Sequence, residues 1–255
     1  RLPLIKTIKV DVSQKQLREI PAADLSEIML DLAPQDRLAL FKVLDLHTKS
    51  QLFATLDFKE QKSLLEDLSD KDAVEILNNM PKDEAADFLG ELPEGTVNKI
   101  LGLMESKNAK MLSKLLGYSE ESAGGLMTTE YIAVPDTATI EQALKIVKDK
   151  TLKAETIQNI FIVDKENHLV GSTMLRRLIT ANLPDEVMKA ALKKAVKIHV
   201  EDDVKRIALL MDKYKINALP VVDASNILLG IITMDDIFSR LVAIAWRRAK
   251  RKIQL

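Results

Sequence analysis

The sequence predicts a multi-domain α and α/β chain: an N-terminal all-α superhelix of short helices, then a β-α-β-β-α unit that occurs twice. Three observations predict it. Apolar residues recur every twelve positions through the first half, Gly124 and Gly125 break that period, and the fifteen-residue segment Ile157 to Gly171 returns after 59 residues.

Leu32, Leu44, Leu56, Leu68, Met80, Leu92, Met104 and Leu116 form one series at the spacing of twelve. Ile28, Leu40, Leu52, Leu64, Ile76, Phe88, Ile100 and Leu112 run four positions earlier, and Phe41, Phe53, Leu65, Leu77, Leu89 and Leu101 form a third. Spacings of three and four put the three positions of each unit on one helical face. Asp45, Asp57 and Ser69 are N-cap types at the unit starts. Pro81 and Pro93 suit first-turn positions, where no N–H is required, and they exclude one long continuous helix. Helices of two to three turns do not persist alone, so neighbours must stack and bury a common apolar strip. This array is expected over residues 17–121. Ahead of it, residues 1–16 form a strand or linker in which Ile8, Val10 and Val12 alternate.

The first copy of the duplicated unit opens with a short strand, Tyr131 to Val134. A helix from about Thr139 to Lys150 follows, with Thr139 as cap and Gln142 three residues on. Ile157 to Gly171 then reads as strand, Asp/Asn turn and strand, and Ile216 to Gly230 repeats it with six of fifteen residues identical. A strand at Val196–Val200 and a helix at Asp203–Lys213 precede the second copy as the mirror of the first. The copies are expected over residues 122–185 and 186–240, packed as a pseudo-twofold pair, with residues 241–255 as a basic tail.

Composition narrows the function classes. The 255 residues carry 37 basic and 38 acidic side chains, a net charge of −1, which argues against a nucleic-acid partner. No cysteine is present, so disulfides, thiolate metal sites and cysteine nucleophiles are excluded. Arg240, Arg247, Arg248, Lys250, Arg251 and Lys252 stand in the last sixteen residues with no acid, so the first 239 residues carry −7. That tail, with Leu241, Ile244 and Trp246, fits an interfacial helix on acidic lipid, a docking segment for acidic protein, or a solvated terminus. Its apolar run, Leu241 to Trp246, is far too short to span a bilayer. No signal peptide is visible, and a first residue that is Arg rather than Met suggests a fragment or a processed chain. His47, His168 and His199 lie in unrelated segments without metal spacing. No catalytic triad order, phosphate loop or catalytic carboxylate pair stands out, so no enzymatic activity is expected.

Leu219-Pro-Val-Val-Asp223 and Gly230-Ile-Ile-Thr-Met-Asp-Asp236, in the order strand–helix–strand–strand–helix, resemble a tandem CBS (Bateman) module. With Ser122-Ala-Gly-Gly-Leu-Met-Thr-Thr-Glu-Tyr131 and the helical array before them, residues 20–240 resemble the cytosolic region of MgtE magnesium transporters, or a soluble relative lacking the transport domain. The resemblance implies a regulatory module at the cytosolic face of an inner-membrane transporter, a homodimer formed through the CBS domains, and Mg²⁺ held between N-domain and CBS acids. The matching acids are Asp83, Asp87, Asp203 and Asp236. Lys205 and Lys215 stand where the family places further acids, and basic residues follow where it has an acidic connecting helix. The residues alone equally allow Asp83 and Asp87 to be a solvated acidic face. A second implied ligand is an adenine nucleotide such as AMP or ATP, contacted by Thr233 and Asp236 of Thr233-Met-Asp-Asp236. The alternative for that pair is an ordinary cap at the start of a helix. The first copy has Met174-Leu-Arg-Arg177 there, so Arg176 or Arg177 would meet a phosphate instead.

Overall fold

The computed structural model describes residues 17, 19–119 and 121–253. The strand expected at Ile8, Val10 and Val12 lies outside the described residues, as do the side chains of Ile244, Trp246 and the basic residues that follow it.

Capping sets the start of several array helices. Asp45, Asp57 and Ser69 accept the backbone N–H of Thr48, Glu60 and Asp72, donors that a helix start leaves unpaired. Eight short helices follow one another: α1 (Ala22–Asp31), α2 (Pro34–Val43), α3 (Leu46–Thr55), α4 (Phe58–Glu66), α5 (Asp70–Asn79), α6 (Lys82–Gly90), α7 (Glu94–Leu103) and α8 (Ser106–Leu115). Pro81 and Pro93 sit one residue ahead of α6 and α7, just outside the first turn, and Pro34 opens α2. The first of the twelve-spaced series falls just past the helices: Leu32, Leu44, Leu56, Met80 and Met104 are C-cap residues with extended backbone. Stacking skips one helix, with α1 on α3, α3 on α5 and α5 on α7, so two sequence units make one structural step. Polar links reinforce this pattern. Ser50 Oγ of α3 donates to the Ile76 carbonyl of α5 at 3.1 Å, and Lys99 of α7 meets Asp70 of α5 at 2.8 Å. Phe41, Phe53, Phe88 and Phe58 form a run of ring contacts through the array's core, tilted at both ends and edge to face at its tightest pair, Phe53–Phe88, at 5.1 Å and 87°.

The chain divides into two units by its packing: Arg1–Met80 with Phe88–Ala109, and Pro81–Asp87 with Lys110–Leu255. The first half of α6 therefore belongs with the second unit.

That second unit is built on two three-stranded sheets. β1 (Ile132–Pro135), β2 (Asn159–Val163) and β3 (Leu169–Met174) form one; β4 (Ile198–His199), β5 (Ala218–Val222) and β6 (Leu228–Thr233) form the other. In each, the first pair is parallel and the second antiparallel, and the register slips at the same place, between Ile162 and Val163 and between Val221 and Val222. Helices α10 (Ile140–Lys150), α11 (Leu175–Thr180), α12 (Val204–Tyr214) and α13 (Met234–Ile253) complete the two copies, after a one-turn α9 (Ala123–Leu126). The Thr139–Gln142 capping box forms as expected.

The turns of the two copies cross. Asn167 and Asn226 adopt left-handed backbone, with φ of 68° and 66°, a conformation that Asn tolerates better than other side chains. Asn167 Nδ2 donates to the Leu228 carbonyl at 2.8 Å, and Asn226 Nδ2 donates to the Leu169 carbonyl at 2.9 Å. The backbone repeats the exchange: Leu169 N–H donates to Asn226 and Leu228 N–H to Asn167. Phe161, Val163, Leu169, Ala218, Val222, Leu228 and Ile231 form the core beneath these crossed turns. The segment ahead of β1 adds a further tie, because Thr128 and Ile231 exchange both backbone bonds at 2.9 Å. α13 continues unbroken into the basic tail, and no helix among the described residues is long and apolar enough to cross a membrane.

Asn226→Ala loses both the amide bond and the residue suited to left-handed backbone, so it should cost about 2–3 kcal/mol in denaturant unfolding. Asn226→Gly keeps the backbone freedom and should cost about 1 kcal/mol; equal losses would show that the backbone conformation contributes nothing. A Cβ on Gly230 would stand 2.6 Å from the Thr128 carbonyl oxygen. Gly230→Ala should therefore lower stability by about 1–3 kcal/mol, read from the same unfolding curves.

Candidate cation site

The site joins two segments distant in sequence. Pro81–Asp87 carries the start of α6, where Asp83, Glu84 and Asp87 occupy one side over a single turn and the small, buried Ala85 and Ala86 allow close packing behind them. The other segment is the start of α13, which begins as β6 ends at Thr233 and brings Asp236 and, one turn later, Ser239 and Arg240. Together with Gly125 and Leu126 these residues line a cavity of about 270 Å³. Asp83, Asp87 and Asp236, singled out in the sequence as metal ligands, thus line one cavity.

The electrostatics are those of crowded carboxylates. Asp83 is pushed up to about 8, first by burial and then by the charges of Glu84 and Asp236. Its Oδ1 is buried and has no hydrogen-bond partner. Glu84 is raised to about 7, by burial first and then by Asp87 and Asp236, with Arg240 opposing. Glu84 stands exposed at the rim, where water screens its neighbours, so Asp83 is the stronger sign of an unmet need for positive charge. Glu155 is also raised, by burial and then by Asp236, Glu130 and Asp235. Burial lowers the pKa of Lys82, while Glu130 and Asp83 support its charge.

Two contacts limit the free valence of the site. Thr233 donates both its backbone N–H and its hydroxyl to Asp236 Oδ2, at 3.0 and 2.6 Å, which is the capping geometry the sequence allowed for this pair. Arg240 Nη2 meets Asp87 Oδ2 at 3.2 Å. The donor set is otherwise hard oxygen, and the cavity has room for several waters. Both features suit Mg²⁺, which keeps part of its hydration shell and takes few carboxylates directly.

Asp203 is elsewhere. It caps α12, with Oδ1 accepting the Arg206 N–H at 2.8 Å, and pairs with Ser122 in an isolated bridge. Lys205 is exposed on α12, and Lys215 ends that helix in left-handed conformation, beside Asp212. Lys215 and Arg176 line a second cavity of about 520 Å³ with Asn159, Met174 and Asn217, whereas Arg177 turns to the Ala190 carbonyl at 3.3 Å. In the β2–β3 turn, ligand atoms of Asp164, Glu166 and His168 lie within 4.8 Å of one another, closer than sequence spacing suggested for any histidine. That turn is closed by its own hydrogen bonds, His168 Nδ1 lying 2.8 Å from Asp164 Oδ2.

Sequence reasoning passed over Glu84, Glu155 and Arg240. Glu84 was visible as the neighbour of Asp83 and the i−3 partner of Asp87. Arg240 was visible as the i+4 partner of Asp236, but it was counted with the tail. Glu155 follows α10 in a loop and carries no local signal.

Comparison with known proteins agrees with this architecture. The profile of the MgtE intracellular N domain matches residues 20–121, and that of the CBS domain matches residues 123–183 and 186–243. The magnesium transporter MgtE of Enterococcus faecalis is 37% identical over 132 residues, 52% of this chain and 29% of that protein. Its counterpart in Thermus thermophilus is 36% identical over 145 residues, 57% of this chain and 32% of that protein. The chain thus matches about a third of the length of these relatives. Among solved structures, the cytosolic domain of the Mg²⁺ channel MgtE in complex with ATP is 30% identical with a TM-score of 0.83, covering 89% of this chain and 92% of that one. The soluble part of a magnesium transporter is 29% identical with a TM-score of 0.86, covering 91% of both chains. The helical array, the paired β-α-β-β-α copies and these matches together place the chain in the MgtE family, as its intracellular N domain followed by its two CBS domains.

Proposed function

We propose that the chain is the regulatory cytosolic module of a magnesium transporter and that it senses Mg²⁺ in the cavity between the start of α6 and the start of α13. The observation that carries this reading is Asp83 Oδ1, buried without a partner among Glu84, Asp87 and Asp236. A buried carboxylate oxygen with no donor is costly unless a proton or a cation answers it. A divalent ion bound to acids from both helices is complete only while they are held together, so it stabilises that arrangement by its difference in affinity. Since α6 runs on into the array, the ion would couple the array to the CBS pair and through them to a transport domain in the membrane. Dimer formation through the CBS pair belongs to the same reading.

A second reading is an adenine-nucleotide response without transport; its ligand, though not the absence of transport, is supported by Thr233 and Asp236 at the start of α13 and by the ATP bound in the related MgtE cytosolic domain. The two readings share Asp236 but differ at Asp83 and Asp87 against Thr233, which makes the two ligands separable by experiment.

Calorimetric titration with MgCl₂ should show saturable uptake, weakened about tenfold or more in Asp83→Ala/Asp87→Ala, a loss of at least 1.4 kcal/mol. Equal weak uptake by both proteins would remove the metal site, and ATP uptake sensitive to Thr233→Ala would then favour the second reading. The pH dependence has a defined sign. Asp83 binds its proton more tightly folded, near 8, than unfolded, near 3.8, so the folded state holds the extra proton between those values. Stability in chelator should therefore fall as pH rises through that window, and Mg²⁺ should restore it at the alkaline end. Asp83→Asn should flatten the fall, and an unchanged thermal-melt profile would count against Asp83 as its source.

A further inference from the structure

The basic side chain lining the acidic cavity is Arg240, and it lines it from inside the machinery rather than from the tail. It stands one turn after Asp236 on α13, so both side chains serve the same cavity. Its guanidinium meets Asp87 Oδ2 at 3.2 Å, with roughly a third of its side chain exposed, and its charge works against the raised pKa of Glu84. A guanidinium keeps its charge throughout the accessible pH range and offers donors in a fork shaped for carboxylates.

We infer that Arg240 is a built-in cation that competes with Mg²⁺ for Asp87 and so sets the concentration at which the site fills. The inference rests on the metal reading of this cavity. The reasoning is one of charge and space. With the ion absent, Arg240 neutralises part of a cluster that would otherwise repel itself. With the ion present, the divalent charge must either displace the guanidinium from Asp87 or bind close to it and be repelled. In both cases part of the binding free energy is spent against Arg240, and affinity is lower than the carboxylates alone would give. Arg240 is thus a positioning and tuning residue, not a ligand.

The test is Mg²⁺ calorimetry on the full chain as wild type, as two neutral variants, R240Q and R240M, and as the charge-retaining R240K, at pH 9 with constant ionic strength. The neutral variants should bind on the order of tenfold more tightly than wild type, with R240K near wild type. In chelator, the neutral variants should melt below wild type and R240K, and Mg²⁺ should close that gap. Unchanged affinity in R240Q and R240M, with Mg²⁺ still taken up, would overturn the competitor role and leave the metal site standing. Weaker binding in the neutral variants would overturn it as well, by showing that Arg240 assists the site. No uptake by any of the four proteins would instead overturn the metal reading, and the competitor role with it.

Discussion

Two turn asparagines tie the halves of the duplicated unit together, and the α13 side of the candidate cation site depends on that tie. Asn167 and Asn226 each turn a strand back in left-handed conformation and each reach across to a carbonyl of the other copy, at Leu228 and Leu169. A backbone carbonyl buried at such a junction needs a donor, and here each copy supplies the donor that the other lacks. The exchange sets β3 against β6. β6 then ends at Thr233, where Asp236 takes both the Thr233 N–H and its hydroxyl and so directs the first turns of α13. On the other side of β6, Thr128 pairs with Ile231 and carries Gly125 and Leu126 to the same cavity. The α13 side of the cavity and its Gly125–Leu126 side therefore both trace back to β6, and the start of α6 supplies the remaining acids.

Periodicity made most of this fold legible. A spacing of twelve marks a helix and its ending, and an offset of 59 marks a duplicated unit, because each regular element repeats its own burial pattern in the chain. What periodicity does not encode is partner choice. Nothing local in the residues of α3 says that it stacks on α5 rather than on α4, and that choice becomes visible only when bonds such as Ser50 to Ile76 are placed. The site shows the same division. Asp83, Asp87 and Asp236 stand in recognisable motifs, whereas Asp203 shows why motif position alone is weak: a carboxylate just ahead of a helix caps it first. Arg240 belonged by composition to a basic tail and by geometry to the acids one turn before it. Glu155 reaches the cluster from a loop whose course depends on the whole first copy.

The acidic cluster is a local loss of stability that the rest of the unit must carry. Burial and like charge both work against Asp83, while the cores of the two copies and the crossed turns supply the compensation. Such a cluster can be relieved in three ways: by a proton on Asp83 or Glu84, by the protein's own cations, Arg240 and the neighbouring Lys82, or by a divalent ion. The three differ in what controls them. Protonation follows pH, the arginine is always present, and the ion follows its own concentration. On the proposed reading only the third would convey information about magnesium, and the other two would set the background against which it is read.

A sensor of the proposed kind would need that background. If the cluster were fully neutralised without metal, an ion would gain nothing by entering; if it were not relieved at all, the unit would be unstable whenever the ion was scarce. Partial relief by Arg240 at Asp87, leaving Asp83 Oδ1 unanswered, lies between those limits. An ion shifts an equilibrium only by the difference in its affinity for two states, and that difference is largest where the ligands come from separate elements. Here they come from α6, continuous with the helical array, and from α13, the last helix of the CBS pair and the one that leads onward to the C-terminus. A site on one helix could bind the ion equally well and change nothing. Division of the carboxylates between these two helices is what would allow occupancy to be felt along the chain.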